Sequence, residues 1–460
     1  MVEHSRNAKL GPWFRGTCFA GYYWLTGRRS LLSCVKYMDD LHQASRSEID
    51  LHVRRSLFQL LTHAVRFTPY YRDLVNDETL SEATAIPCLQ KMPILTKNII
   101  RQEAKRLISE VPGRRPRWNA SGGSTGEPIR LLQDQSMKNL SKATKLLFMR
   151  WAGHRMGEPH VLIWTVPEAT FNERISLHDR IYRRVHNEIY LNCCSIDDEV
   201  IHKWIDGINT TRPTLIEAYA DAIYELSRCI NSEGLYVVRP RAIITSAAVL
   251  TPYMRETITK AFNCPVLNRY GSREVSDVAC SCLSSNELHI NEFSHYIEVV
   301  DENGNPCEPG VEGNILVTLL RNYTMPLIRY RIEDRGVWAT GTCPCGRTTR
   351  RLLGVTGRQF DFLQAADGTK IHAAPFVYLL FPVSSIRRYQ YRQTGKTHIT
   401  LAVVPAAGYD KEAIMQDIRL PLKHVRSLLP GISVEVAIVD EIIPGKSGKL
   451  RYILNEVIDR

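Results

Sequence analysis

Between Arg46 and Arg66 the apolar positions Ile49, Leu51, Val53, Leu57, Leu60 and Leu61 recur among charged residues at close to a 3.6-residue period, which predicts an amphipathic helix. Much of residues 1–110 shares this texture, so the chain opens on a mostly helical preface. Within it the stretch from Cys18 to Leu25 is apolar and aromatic (Phe19, Tyr22, Tyr23, Trp24) and is followed by Gly27, Arg28 and Arg29. It is too short to span a bilayer and fits a buried or interfacial helix better than a signal peptide. From 119 onward short β-rich runs alternate with helical stretches. Strands are expected at 161–164, 215–219, 242–245 and 265–271, and helices at 195–209, 222–230 and 252–262. This alternation predicts α/β layers around a parallel sheet.

Between His289 and Arg331 the pattern turns antiparallel, with 297–301 and 314–320 flanking a hairpin turn centred on Asn303 and Gly304. After Gly357, β-like runs at 371–380, 399–404 and 432–439 bracket a helix expected over 411–428. The fold class is therefore α/β. Residues 1–356 form a large N-terminal α/β domain with layered sheets and a β-rich subdomain, and residues 357–460 a small, mobile α+β C-terminal domain.

The 460 residues are 44% hydrophobic and 23% charged, which excludes disordered, collagen-like and coiled-coil classes. No run of about 18 apolar residues occurs, so no stable membrane insertion is expected. Twelve cysteines are too sparse for a stapled scaffold and read as reduced thiols of a cytoplasmic protein, monomeric or homodimeric. The net charge of +11 raises nucleic acid as a partner, through clusters such as Arg114, Arg115, Arg117 and Arg180, Arg183, Arg184. No helix-turn-helix, RNP-like or zinc-finger spacing accompanies them, so nucleic acid is not expected.

The chemistry begins at residues 119–128, Asn-Ala-Ser-Gly-Gly-Ser-Thr-Gly-Glu-Pro. Gly122, Gly123 and Gly126 let backbone N–H groups turn toward one anion, and the hydroxyls of Ser121, Ser124 and Thr125 add donors suited to a polyphosphate. A flexible surface turn is the alternative. Glu127 stands where a Walker A lysine would be, and Gly445-Lys446-Ser447 lacks the first glycine of that motif, so a P-loop NTPase is disfavoured.

Four further stretches follow in order: Asn268-Arg-Tyr-Gly-Ser-Arg-Glu274, Pro326-Leu-Ile-Arg-Tyr-Arg-Ile-Glu-Asp334, Gly357-Arg-Gln-Phe-Asp361 and Ser447-Gly-Lys-Leu-Arg451. Together with the glycine-rich loop they resemble the adenylate-forming (acyl-activating) enzymes, and within these the phenylacetate-CoA ligase and CapK-like branch. The resemblance implies ATP with Mg²⁺ as the nucleotide. Tyr270, with Gly271 and Ser272, would stack on adenine, Glu274 would hold Mg²⁺, Asp334 would accept hydrogen bonds from the ribose, and Arg358 at the domain junction would join the nucleotide set. Lys449 is similar to the mobile lysine that contacts carboxylate and phosphate oxygens during adenylation, with Lys446 second. Each also has a plainer reading, as a core tyrosine, a helix-start glutamate, a turn aspartate and a solvated lysine.

In that family the acyl pocket lies ahead of the tyrosine motif, so Tyr219, Ala220, Ser246 and Ala247 are expected to border it. This chain departs from the pattern at Glu333, where glycine is usual, at Glu127, at Arg273, and at Phe360, which leaves Asp361 as the only acid of the junction.

Cys280-x-Cys282, His289 and Cys343-Pro-Cys345 flank the β-rich segment, and four soft donors would suit Zn²⁺. The CxC spacing is tighter than the common CxxC, and buried thiols without metal are the alternative. The CapK-like branch has a similar arrangement, so the resemblance implies a structural zinc on Cys282, His289, Cys343 and Cys345, with Cys280 and His295 as alternates. The function expected is ATP-dependent activation of a small carboxylic acid as an acyl-adenylate, followed by transfer to coenzyme A as co-substrate. Direct transfer to an amine, or a degenerate nucleotide-binding homologue, are the alternatives.

Overall fold

The computed structural model describes residues 12–25, 29–72, 74, 79–113, 115–120, 129–164, 177–193, 198–358, 362–372, 376, 379–380, 382–443 and 452–457. They divide into two compact units, Met1–Val355 and Thr356–Arg460.

The first unit opens on helices α1 (Pro12–Leu25), α2 (Arg29–His42), α3 (Arg46–Phe67), α4 (Ala85–Lys91) and α5 (Lys97–Gln102). A capping box starts α3: the Ser45 hydroxyl accepts from the Glu48 N–H, and the Glu48 carboxylate accepts from the Ser45 N–H at 2.8 Å. Its buried stripe is Ile49, Val53, Leu57, Leu60, Leu61 and Ala64, whereas Leu51 falls off that face and is exposed. In α1, Phe19 and Tyr23 are buried and Trp24 and Leu25 exposed.

An 11-stranded sheet follows, in the order β10-β11-β12-β13-β9-β8-β7-β6-β5-β3-β4. Its parallel part comprises β3 (His160–Trp164), β4 (Glu188–Asn192), β5 (Leu215–Tyr219), β6 (Ala242–Ser246) and β7 (Val266–Ser272). Helices α6 (Gln135–Trp151), α7 (Leu177–His186), α8 (Asp198–Thr211), α9 (Ala220–Glu233) and α10 (Pro252–Phe262) lie before and between these strands. The α10 segment carries its own start and stop: Thr251 caps the Met254 N–H, Pro252 sits in the first turn, and Asn263 ends the helix at φ 48°.

From β7 the sheet becomes antiparallel through β8 (Ser276–Cys282) and β9 (Ser285–Ile290). The β10 (His295–Val300) and β11 (Glu312–Leu319) pair is antiparallel, as the alternation predicts, with Val300 opposite Asn314. Their connection is longer than a two-residue turn. The Asp301 carboxylate accepts from the Asn303 and Asn305 N–H groups, and Gly304 adopts φ +86°. The remaining strands are β12 (Tyr330–Trp338) and β13 (Arg351–Arg358).

Because β4 lies on one side of β3 and β5 on the other, the strand order reverses at β3. In open α/β sheets such a reversal opens a crevice at the carboxyl ends of the strands, where Trp164, Asn192, Tyr219, Ser246 and the Tyr270 segment stand.

The second unit has a four-stranded sheet, β18-β17-β16-β19, built from β16 (Ile386–Gly395), β17 (His398–Pro405), β18 (Ser433–Ile438) and β19 (Ile453–Asn455). Two sequence expectations change here. The helix over 411–428 is two helices, α11 (Lys411–Asp417) and α12 (Arg419–Leu428). Pro421 has no N–H for an unbroken helix and would crowd the carbonyl of residue 417, so it sits instead in a new first turn. The β-like run 371–380 is a strand only at its start, in β15 (Lys370–His372), which pairs with β14 (Phe362–Gln364). Phe376, Leu379 and Leu380 are helical.

Candidate functional site

Strands β1 (Arg117–Ala120) and β2 (Arg130–Gln133) form an antiparallel hairpin with Ala120 opposite Arg130, so the glycine-rich loop is its tip. The loop residues Ser121, Gly122, Gly123, Ser124, Thr125 and Gly126 lie outside the described residues, but both stems are anchored. The Asn119 amide donates to the Arg273 carbonyl at 3.1 Å and to Gln133 Oε1 at 3.2 Å, and the Gln133 amide donates to the Glu274 carbonyl at 3.3 Å. The loop therefore springs from a base bolted to the end of the Asn268–Glu274 motif. Asn119 and Gln133 were not singled out from sequence. Their signal is that they flank the glycine run on its two sides, Asn119 opposite Leu131 and Gln133 opposite Arg117.

In the motif itself a Cβ on Gly271 would lie 2.3 Å from the Ser276 carbonyl oxygen, so only glycine allows this turn. Ser272 Oγ accepts from the Glu274 and Val275 N–H groups and holds the bend. The Tyr270 hydroxyl donates to Asp334 Oδ2 at 2.8 Å, joining two nucleotide candidates 64 positions apart. Glu274 is 7% exposed, and its carboxylate has no hydrogen bond or ion pair among the described residues. Such a carboxylate beside the glycine-rich hairpin is a candidate ligand for the Mg²⁺ that the resemblance implies.

The Pro326–Asp334 segment divides into structural and site residues. Buried Arg329 pairs with Glu298 at 3.1 Å and donates to the carbonyls of Gln90, Met92 and Gly304, so it ties β10, the segment before α5 and the Asp301 turn together. Glu333, where the resemblance expects glycine, adopts φ +72°, the left-handed region that glycine enters without strain. Its carboxylate forms an ion pair with Lys97 at side-chain exposures of 17% and 13%. Glu333→Gly is therefore expected to trade relief of about 1 kcal/mol of backbone strain against a half-buried lysine left unpaired, for a net loss of roughly 1–2 kcal/mol. Adding Lys97→Met should recover that loss in urea unfolding. Equal stability of single and double variants would show the pair to be inert.

At the crevice, Tyr219 pairs with Ser246 in register, and the Trp164 ring lies 4.2 Å from that of Tyr219. Ala220 begins α9, and Ala247 is held at φ +74° just past β6. Beneath this border lies a charged network that sequence reading missed. Fully buried Glu217 meets Arg269 at 2.7 Å, Lys145 at 3.2 Å and His160 at 3.2 Å. Burial alone would raise the Glu217 carboxyl, but Lys145 and Arg269 hold it well below the usual range. The Arg269 guanidinium also sits 5.8 Å from the Trp164 ring centre. The available signal was a lone acid at the middle of the apolar strand Leu215–Tyr219.

Cys282, His289, Cys343 and Cys345 present ligand atoms that all lie within 4.8 Å of one another. Tetrahedral angles at Zn–S of roughly 2.3 Å and Zn–N of roughly 2.0 Å place two sulfurs about 3.8 Å apart, and sulfur and nitrogen about 3.5 Å apart. The observed Cys282–Cys343 and Cys345–His289 separations are 3.7 and 3.4 Å. His289 Nδ1 bonds Thr349 Oγ1 at 2.9 Å, which leaves Nε2 toward the sulfurs, and burial lowers the imidazole to about 3, so it is neutral. Burial pushes the Cys282 thiol up to about 11. For Cys345 burial is outweighed by the Arg347 N–H, which helps hold the thiol below its ordinary value. The β8–β9 hairpin brings up the first pair of ligands, and the Gly346 N–H closes a knuckle onto the Cys343 carbonyl with φ +81°. Neither alternate joins them: His295 bonds Ser294 and the Val275 carbonyl, and Cys280 is outside the cluster.

Arg358 closes β13. Lys449, Lys446, Glu127, Phe360 and Asp361 lie outside the described residues. No helix among the described residues is long and apolar enough to cross a membrane, and every described cysteine is a free thiol.

No family model matches the chain. Its sequence is 24% identical over 393 residues to protein CapK of Staphylococcus aureus, covering 84% of this chain and 85% of that protein. It is 26% identical over 338 residues to the phenylacetate-coenzyme A ligase of Pseudomonas putida, covering 71% and 74%. Among solved structures, 2-hydroxyisobutyryl-CoA ligase in the postadenylation state matches with a TM-score of 0.71 at 17% identity, over 90% of this chain and 91% of that one. The chain thus has an acyl-CoA ligase fold, and its sequence relatives come from the branch that its motifs resemble.

Proposed function

We propose that this chain is an ATP-dependent carboxylic acid-activating ligase that forms an acyl-adenylate and then passes the acyl group to coenzyme A. The observation that carries this is the convergence, within one unit, of the anchored hairpin at 117–133, the turn at 270–274 and Asp334. Three segments distant in sequence meet where each has a distinct task toward one nucleotide. The glycine-rich sequence at 121–128 would supply backbone and hydroxyl donors to the phosphates. The Tyr270 ring offers a face for adenine while its hydroxyl orients Asp334 toward the ribose. Glu274 would hold Mg²⁺, which neutralises phosphate charge when bound.

In the first step a carboxylate oxygen of the acid attacks the α-phosphorus, forming the acyl–phosphate bond as pyrophosphate leaves. Lys449 supplies a cation to the charge that develops there. In the second, the coenzyme A sulfur attacks the acyl carbon and AMP leaves, so no side chain becomes a covalent nucleophile. Trp164 and Tyr219 offer aromatic surface at the crevice, which supports an aryl or similar acid. Zinc on Cys282, His289, Cys343 and Cys345 would be structural, since four protein ligands leave no open position. Reduced thiols support a cytoplasmic setting.

Acid-dependent exchange of labelled pyrophosphate into ATP over an acid library tests adenylation, and mass spectrometry with coenzyme A and amines identifies the acceptor. No exchange with any acid would leave only nucleotide binding, and amide products without thioesters would replace coenzyme A by an amine. Asp334→Ala should raise the KM for ATP about 10- to 100-fold, the worth of hydrogen bonds to a charged acceptor, with the KM for the acid within threefold. An unchanged KM for ATP would remove Asp334 from the nucleotide site.

A further inference from the structure

On the outer helices of the parallel sheet, His202 of α8 and Cys229 and Glu233 of α9 form a second group whose ligand atoms lie within 4.8 Å of one another. Cys229 and Glu233 are four residues apart, hence on one helix face, and His202 meets them from the neighbouring helix. His202 Nε2 is 3.1 Å from Glu233 Oε2, and Cys229 Sγ is 3.2 Å from Glu233 Oε1. Around one tetrahedral zinc, imidazole nitrogen and carboxylate oxygen sit about 3.3 Å apart, and sulfur and oxygen about 3.5 Å apart, so both Glu233 contacts come within a few tenths of an ångström of those separations. The helices are fixed beside this group: the Asn209 side chain of α8 bonds the Tyr236 carbonyl and the Val238 N–H just beyond α9.

We infer that His202, Cys229 and Glu233 form an exchangeable binding site for a borderline divalent cation such as Zn²⁺, separate from the buried cysteine and histidine cluster. Binding replaces the proton shared between Cys229 and Glu233: the thiol proton goes to solvent, and thiolate, neutral imidazole and carboxylate become the ligands. Three protein donors leave a fourth position for water or for a donor from another molecule. His202 and Glu233 are 49% and 45% exposed, so ions can enter and leave, unlike at the buried cluster. The cation would clamp α8 to α9, the helix that starts at Ala220. This inference does not rest on the ligase activity.

The test is zinc titration of the full-length protein, stripped by chelation under reducing conditions, in competition with a chromogenic chelator. Wild type should give two classes of site, one tight and one weaker. His202→Ala and Cys229→Ser should each weaken the second class at least tenfold while retaining the first, and Cys343→Ser should do the converse. Co²⁺ provides a second readout: Cys229→Ser should remove the part of the near-ultraviolet thiolate-to-metal band that saturates last. A single class of site in wild type, or two unaltered classes in both surface variants, would overturn the inference. The three residues lie on the helix surface, so the variants should keep the wild-type circular dichroism.

Discussion

Lys449→Ala is expected to lower acid-dependent pyrophosphate exchange about 10²- to 10³-fold, the usual cost of removing one donor aimed at transition-state charge. Lys449 follows Gly445, Ser447 and Gly448 in sequence and is assigned this role by its resemblance to the family's lysine, whose long ammonium side chain suits a phosphate. Adenylation concentrates negative charge on the attacked phosphate, where that ammonium matters most. Transfer from a pre-formed acyl-adenylate to the acceptor has no such charge to stabilise, so its rate should stay within about threefold of wild type. The split between half-reactions separates this role from a general loss of fold. Lys446→Ala is the control, with a smaller effect on exchange. Exchange within threefold of wild type in Lys449→Ala would be incompatible with the assignment.

The second large effect is expected at the buried metal cluster. Protein purified without chelators should carry zinc there, and Cys282→Ser or Cys343→Ser should abolish it. A ligand present at 1,000 times its Kd stabilises the native state by about 4 kcal/mol, which for a unit of this size is a fall of roughly 5 °C in Tm on metal loss. The two thiols would otherwise be packed face to face at 3.7 Å with only weak S–H bonding between them. The loss should extend toward the nucleotide site, because Cys282 ends the strand that begins two residues after Glu274. A protein free of metal, with unaltered melting in both variants, would make the cluster an ordinary set of buried thiols.

The pattern of apolar positions anticipated most of the alternating strands and helices between 160 and 272, because periods of 2 and 3.6 residues are local properties of the backbone, but it missed α7 (Leu177–His186) and β4 (Glu188–Asn192). It failed where one residue overrode the pattern, as Pro421 does in the second unit. The motifs likewise marked Tyr270, Glu274 and Asp334 as nucleotide-site candidates, and the cysteine and histidine types marked a candidate metal cluster. What the sequence alone left undetermined were the partners. That Tyr270 bonds Asp334 and that Asn119 and Gln133 anchor the glycine-rich hairpin depend on the packing of distant segments, and the same packing brings together the four ligands that the resemblance implied, Cys282, His289, Cys343 and Cys345. Glu333 shows the division best. By sequence it is a departure from an expected glycine; only the fold shows that the position still has φ +72° and that Lys97 holds the carboxylate in place. Residue type and spacing determine which chemistry is available, whereas contacts between segments tens to hundreds of residues apart depend on packing that no local period encodes.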